Sequence, residues 1–253
     1  MNANAVLPPP VANRLSGRHK YLFVALTLLI VGGAIFRSAV ASRLDGLTID
    51  EAYHIDAGVS YVRYDDFHIN PVHPPLVKLW VGNFLSITGF HLSRLRPFAD
   101  KSDERAFAEQ DVYLHNDFNS VQRRARIAMW TLNGRLLVLF AFAVPRVLGF
   151  GVAIGALFFL AIAPAVAAHL PVVMTDLPVS LLSATSVVLA SRAFYAWAWG
   201  DVETGIVDTG CDVIRSLIDL AESAAIRKLR FGKNRGTAAL PGNVDAHFLG
   251  ALY

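Results

Sequence analysis

Cysteine and charge are both scarce in this sequence. The 253 residues include a single cysteine, Cys211, which excludes an intrachain disulfide framework and any metal site built from cysteines. Charged residues make up 17% of the chain, whereas soluble domains average about 25%. The formal net charge is only +3 and no nucleic-acid-binding signature is present, so nucleic acid is not expected as a partner. With 54% hydrophobic residues and a mean hydropathy of +0.44, the composition indicates that the lipid bilayer is the main partner.

Hydrophobic runs long enough to cross a bilayer, about 20 residues each, occur at four places. We predict spans at residues 21–41, 127–144, 147–168 and 177–199. The 147–168 run carries no charge, whereas Asn133 and Arg135 interrupt the second run and are expected to face other helices, a water-filled cavity or the interface. A cleaved signal peptide is the alternative for the first run. The predicted fold class is an all-α, polytopic bundle of about four transmembrane helices.

The remaining residues form a leader, a long loop and a tail. Residues 1–20 are polar and basic, and we expect them to be cytoplasmic, because Lys and Arg in short segments stay inside. Residues 42–126 then form a long extracytoplasmic loop. From residue 201 to residue 253 the composition changes, and apolar residues recur at helical spacing, which predicts an amphipathic helix on the inner membrane face or in solvent. The expected location is the bacterial inner membrane, with several crossings.

Two acidic positions lie beside predicted spans on the outer side. Asp50 and Glu51 come after the first span, and Asp176 precedes the last. Such carboxylates suit proton transfer from an acceptor hydroxyl or amine, or the binding of a divalent metal with a phosphate. The structural alternative for the first pair is a capping box, in which Thr48 and Glu51 close the start of a helix.

The order of four motifs resembles that of a known family. After the first span come TIDEAYHIDAG (48–58) and NPVHPPLVK (70–78); RAR (124–126) precedes the second, and HLPVVMTDLPVS (169–180) opens another. This arrangement, over about residues 20–197, resembles the N-terminal part of membrane glycosyltransferases of the GT-C fold. The protein mannosyltransferases and aminoarabinose transferases, which use phospholipid carriers, belong to this group.

The resemblance implies a reaction and a set of site residues. A sugar passes from a polyprenyl phosphate carrier to an acceptor at the outer membrane face, with Asp50 and Glu51 at the reaction centre and Asp176 as a later acid. The residues implied near the carrier or the cavity are His73, Lys78, Arg126 and His169. A purely topological or headgroup role is the alternative for Arg126, and an interfacial position is the alternative for His169. No cofactor is certain, and a divalent metal held by Asp50 and Asp176 stays open, as does the acceptor.

The chain also departs from the family. Full-length members have many more spans, and the mixed-charge sequence from Asp201 does not resemble their hydrophobic continuation, as in a truncated or frameshifted reading frame. We therefore expect a partial enzyme that is inactive alone if its scaffold cannot bind the carrier. The alternatives are a non-catalytic integral membrane fragment or partner subunit, and a small transporter in which Arg135 marks the path.

Overall fold

A computed structural model describes residues 17–199 of the chain, with side chains for 18–194. These residues form helices and no strand, which confirms the all-α prediction for this part of the chain. The helices are α1 (Gly17–Ala41), α2 (Ile49–Tyr64), α3 (Pro75–Ile87), α4 (Lys101–Tyr113), α5 (Phe118–Ala143), α6 (Pro145–Leu148), α7 (Phe150–Ile162), α8 (Pro164–His169) and α9 (Asp176–Trp199). Cys211, the predicted tail helix and most of the predicted leader lie outside the described residues.

Three helical segments are long and apolar enough to cross a membrane, which indicates an integral membrane protein. They are Arg18–Ala41, Phe118–Leu148 and Asp176–Phe194. The second begins nine residues before the predicted start at residue 127, because the polar turns that carry the RAR motif continue the helix outward. Its 31 residues extend about 46 Å, well beyond the roughly 30 Å of bilayer hydrocarbon.

The predicted span 147–168 is divided in the structure. Gly149 has a φ of 85°, which separates α6 from α7, and Ala163 is extended before Pro164 opens α8. Proline lacks an N–H donor and disfavours the helical conformation of the residue before it, so α7 ends after 13 residues. Arg37 donates to the carbonyls of Ile162 and Ala163, which lie at the break. A count of four uninterrupted spans is therefore not confirmed.

Side-chain contacts give the direction of α1 relative to α5. Near the start of α1, the Phe23 ring makes edge contacts with Phe142 of α5 and Phe150 of α7, at centroid distances of 5.4 and 4.9 Å. Near its end, Ser38 accepts a hydrogen bond from Trp130 Nε1, which lies at the middle of α5 and well before Phe142. α1 is therefore antiparallel to α5. We call the end formed by the last turns of α1 and the first turns of α5 the polar end.

The last helix runs parallel to α5. Asn133 donates to the carbonyl of Leu170, just before α9, and Arg192, far along α9, donates to the carbonyl of Arg146, after α5. α9 thus begins at the polar end. The segment of α7 and α8 connects the far end of α5 back to this point.

The predicted outer loop is itself largely helical, with α2, α3 and α4 packed at the polar end. Gly58 of α2 and Gly82 of α3 lie at the crossing of these two helices, where a Cβ on either glycine would overlap backbone atoms of the other helix. Trp80 of α3 donates to the carbonyl of Ala128 at 2.8 Å and so attaches the α2–α3 pair to α5. Buried aliphatic side chains complete this packing: Ile55, Val59, Val77, Val81 and Leu85.

Candidate functional site

Glu51 and Arg126 form a buried ion pair at the polar end. Arg126 Nη1 lies 2.5 Å from Glu51 Oε1, and neither side chain is exposed by more than 5%. Glu51 also accepts from the Thr48 N–H at 2.7 Å and from the Val173 N–H at 2.8 Å. The bond from Thr48 belongs to the capping box predicted from the sequence, which is confirmed. Both carboxylate oxygens of Glu51 are therefore occupied.

Arg126 completes the connection between distant segments. Its guanidinium donates to the carbonyl of Pro171 at 2.8 Å and to that of Gly46 at 2.9 Å. Because Gly46 precedes α2 and Pro171 precedes α9, the pair ties α2 and α5 to both loops. We call Glu51, Arg126 and their four backbone partners the clasp. The carboxylate and carbonyl partners of the clasp compensate Arg126 for most of the water contacts that it loses on burial.

Asp50 has a different environment from its neighbour in sequence. Its carboxylate is about half exposed and pairs with Arg105 of α4 at 3.0 Å, an ion pair that is open to solvent on both sides. Successive helical residues point about 100° apart, so the clasp holds Glu51 inward and leaves Asp50 outward. Asp50 is thus the accessible acid of the pair.

Asp176 lies close to the same place. It is the first residue of α9 and is exposed, and its negative charge is favoured at a helix N-terminus. The charges of Asp50 and Asp176 both raise the pKa of His54, so both acids lie within electrostatic reach of one imidazole. Two predicted acids that are far apart in sequence thus act on the same imidazole.

His54 is buried beneath these acids. Burial and, secondarily, the positive charges of Lys78 and His73 lower its pKa to about 4, against the opposing effect of the acids. The imidazole is therefore neutral at physiological pH. Its Nδ1 lies 3.2 Å from the side-chain amide of Asn70, within hydrogen-bond distance. The ring of His73 packs edge-on against it at 5.2 Å.

Asn70 fixes the loop that carries the NPVHPPLVK motif. It has a φ of 51°, a left-handed conformation that asparagine tolerates better than most residues. Its N–H donates to Glu104 at 2.5 Å, and its carbonyl accepts from the Tyr61 hydroxyl and from Lys78. Residues 71–76, including His73, remain exposed beyond this anchor.

Lys78 is fully buried in the structure. Its ammonium donates to the carbonyls of Asn70 and His73 and to the Tyr61 hydroxyl, which uses all three N–H groups. Burial lowers the pKa of Lys78 to about 8, although the charge of Glu104 acts in the opposite direction. Lys78 therefore holds the loop between α2 and α3 in place through the carbonyls of Asn70 and His73. Its predicted contact with a carrier phosphate stays a prediction.

Glu104 of α4 holds the same loop by accepting a hydrogen bond from the Asn70 N–H. Burial raises its pKa, but hydrogen bonds from Lys101, Tyr53 and the Asn70 N–H outweigh that effect, so the pKa lies below its ordinary value. Burial raises the pKa of Tyr61 to about 12, so its hydroxyl remains protonated as a donor to the loop.

The other predicted residue, His169, ends α8 near the polar end. Its Nδ1 lies 2.8 Å from the Ala165 carbonyl within the same helix. Among the described residues, no group of three or more His, Cys, Asp or Glu side chains is arranged to hold a metal ion. A metal held by Asp50 and Asp176 would therefore need further ligands from a substrate or from water.

Sequence reasoning left several site residues without a role. His54 lies four residues after Asp50 on α2, a spacing that places the two on one helical face, and this signal was available. Asn70, Tyr61 and Glu104 gave no comparable signal, because their roles depend on contacts between α2, α3 and α4. Comparison with known proteins gave no match to a family model, a curated protein or a solved structure.

Proposed function

We propose that this chain carries the donor-facing part of a GT-C-like glycosyltransferase, which transfers a sugar from a polyprenyl phosphate carrier to an acceptor at the outer membrane face. The observation that carries the proposal is that the charges of Asp50 and Asp176 both act on His54, whose ring contacts that of the exposed His73. Two accessible acids at the end of a membrane bundle suit a reaction between a lipid-linked donor and an acceptor from outside the membrane.

In this proposal Asp50 is the proton acceptor. The acceptor hydroxyl attacks the anomeric carbon of the sugar, its proton passes to Asp50, and the bond between that carbon and the phosphate oxygen breaks, so polyprenyl phosphate leaves. The ion pair with Arg105 is exposed and therefore weak, which leaves Asp50 free to exchange partners. Asp176 orients the acceptor from the opposite side, alone or through a divalent metal.

The remaining predicted residues divide into two groups. His73 is exposed on the loop before α3 and is the residue of the HPP element that faces the donor phosphate, whereas Lys78 holds this loop in place. Glu51 and Arg126 act as positioning residues, because the clasp fixes α2 relative to the segment that leads into Asp176. His169 lines the margin of the site.

The topology proposed with this function has four crossings and a cytoplasmic N-terminus. α7 begins at the Phe23 end of the bundle, and α8 ends just before Leu170 at the polar end. Residues 150–169 cover about 30 Å if helical, so they suffice for a crossing with a kink at Pro164. The polar end then faces the outside of a bacterial inner membrane.

The proposal is tested with the full chain in liposomes that contain radiolabelled polyprenyl-phosphate mannose or aminoarabinose. We expect release of polyprenyl phosphate to fall at least 100-fold in Asp50→Asn, the range of a lost general base, and to fall in Asp176→Asn because the acceptor is no longer oriented. Asp45→Asn, an exposed acid in the same outer segment, is the matched control and should retain the wild-type rate.

The outcomes separate the two functional hypotheses. Wild-type release in Asp50→Asn would refute the assigned role of this carboxylate. A folded wild-type chain that neither binds nor cleaves any of the donors would instead support the alternative, a non-catalytic membrane subunit.

A further inference from the structure

Arg135 is an exposed charged residue on a helix that is long and apolar enough to span a membrane. It lies within the span Phe118–Leu148 and is exposed, as are Ile127 and Phe142 on the same helix. Its guanidinium carbon lies 4.7 Å from the ring centroid of Trp80. Among the described residues, this ring is the only partner of the guanidinium, whose N–H groups form no hydrogen bond or ion pair there.

The guanidinium lies closer to the polar end than its position in the sequence indicates. Side chains on a helix tilt toward its N-terminus, which is the polar end of α5. Trp80 donates to the Ala128 carbonyl, so the indole marks the level of Ala128, seven residues or about 10 Å from the Arg135 Cα. Arg135 therefore extends along the helix toward the edge of the hydrocarbon region, as long basic side chains do in membranes.

The positive charge of Arg135 has no acidic partner on the two helices that surround it, α3 and α5. Neither α3 nor α5 contains an acidic residue, while Arg124 lies at the other end of α3, where it donates to the Thr88 carbonyl. A positive charge at the margin of a bilayer is costly without an anionic partner. With its face on the indole, the guanidinium keeps its edge N–H groups free, in the forked geometry that binds a phosphate through two bonds.

We propose that Arg135 and Trp80 form a binding site for the phosphate group of a membrane lipid, in the leaflet at the polar end. The site is separate from the acids at Asp50 and Asp176 and does not depend on the proposed transfer reaction. The phosphate belongs either to an abundant anionic phospholipid or to a polyprenyl phosphate, since both present the same group at this depth.

The test uses the full chain in nanodiscs of phosphatidylcholine with a fraction of phosphatidylglycerol brominated in its acyl chains. Bromine quenches nearby tryptophan fluorescence, so the test is run in a background with Trp130, Trp197 and Trp199 replaced by Phe, in which Trp80 alone reports on lipid at the site. We expect the wild-type chain to prefer brominated phosphatidylglycerol over brominated phosphatidylcholine about fivefold, the effect of one basic residue at a membrane surface. Arg135→Gln should lose this preference, and Arg135→Lys should keep part of it.

Matched controls make the result specific. Arg43→Gln removes an exposed charge at the same end of the bundle and should leave the preference unchanged. If Arg43→Gln reduces the preference as much as Arg135→Gln does, the effect is general surface charge and the proposal fails. It also fails if Arg135→Gln behaves as wild type, or if inorganic phosphate in the buffer relieves the quenching as well as lipid phosphate does.

Competition identifies the source of the phosphate. Unbrominated polyprenyl phosphate that relieves quenching at far lower mole fraction than unbrominated phosphatidylglycerol supports the site with the carrier as its ligand. Equal relief by both lipids supports it with an abundant phospholipid as the ligand.

Discussion

Neutralising Glu51 should destabilise the protein, whereas neutralising the adjacent Asp50 should not. Glu51→Gln keeps the shape of the side chain but leaves the buried Arg126 without its counter-ion. It also places an amide nitrogen among N–H donors from Thr48 and Val173. Removing one partner of a buried ion pair costs about 3–5 kcal/mol. Asp50→Asn breaks only an exposed pair, worth about 0–1 kcal/mol.

The measurement is the free energy of unfolding in mixed detergent micelles, followed by helical circular dichroism. A third variant, Arg126→Met, and its combination with Glu51→Gln complete a double-mutant cycle. We expect the double variant to be more stable than the sum of the single changes predicts, by at least about 2 kcal/mol, because removing both charges leaves no uncompensated ion.

Two results would refute this reasoning. One is a loss below about 1 kcal/mol in Glu51→Gln, which would mean that water reaches the clasp. The other is a loss in Asp50→Asn equal to that in Glu51→Gln, which would mean that both acids belong to the buried network. A variant of Asp50 that folds normally but transfers no sugar would separate the two roles completely.

Three further predictions concern buried groups around the site. Burial and the charge of Asp111 raise the pKa of Asp56, whose two oxygens have no hydrogen-bond partner within residues 18–194. Stability should therefore fall as pH rises above about 4, and Asp56→Asn should flatten this dependence in unfolding measured at pH 5 and pH 8. The pKa of His54 is lowered to about 4 in the folded protein, below its ordinary value of about 6.5. The free energy of unfolding should therefore fall by about 3 kcal/mol as pH drops from 6.5 to 4. His54→Gln should remove that loss in acid titrations. Gly82→Ala should cost about 1–3 kcal/mol through its clash with Gly58, whereas Gly155→Ala, with open space around it, should be neutral or slightly stabilising in thermal unfolding.

The sequence allowed the membrane-spanning helices to be predicted because hydropathy is a local property. The runs at 21–41 and 177–199 correspond to α1 and α9, and the segments Arg18–Ala41 and Asp176–Phe194 are largely unburied within the protein. The break in 147–168 could have been foreseen from Pro164, since a proline inside a helix removes a hydrogen bond regardless of the solvent. The absence of charge in this run indicated that it lies within the membrane, but not that it forms one unbroken helix.

The sequence did not indicate which of Asp50 and Glu51 is buried and which is exposed. The two acids are adjacent, and either could have faced the interior; the choice depends on Arg126, 75 residues away, and on backbone groups of the 170–175 segment. For Lys78, a family motif indicated a phosphate ligand, but its buried position depends on the carbonyls of Asn70 and His73. Long-range contacts of this kind leave no local pattern in a sequence.

The clasp also sets an order of events during biosynthesis. Glu51 and Arg126 leave the ribosome well before Pro171, which follows Arg126 by 45 residues, or about 2–9 s of translation. Until then the pair lacks two of its partners from the segment before α9. The first two spans therefore enter the membrane before the clasp is complete. The segment before α9 supplies the two missing backbone partners. A chain stalled in that interval still lacks the bond from Arg126 to Pro171 and the bond from Val173 to Glu51.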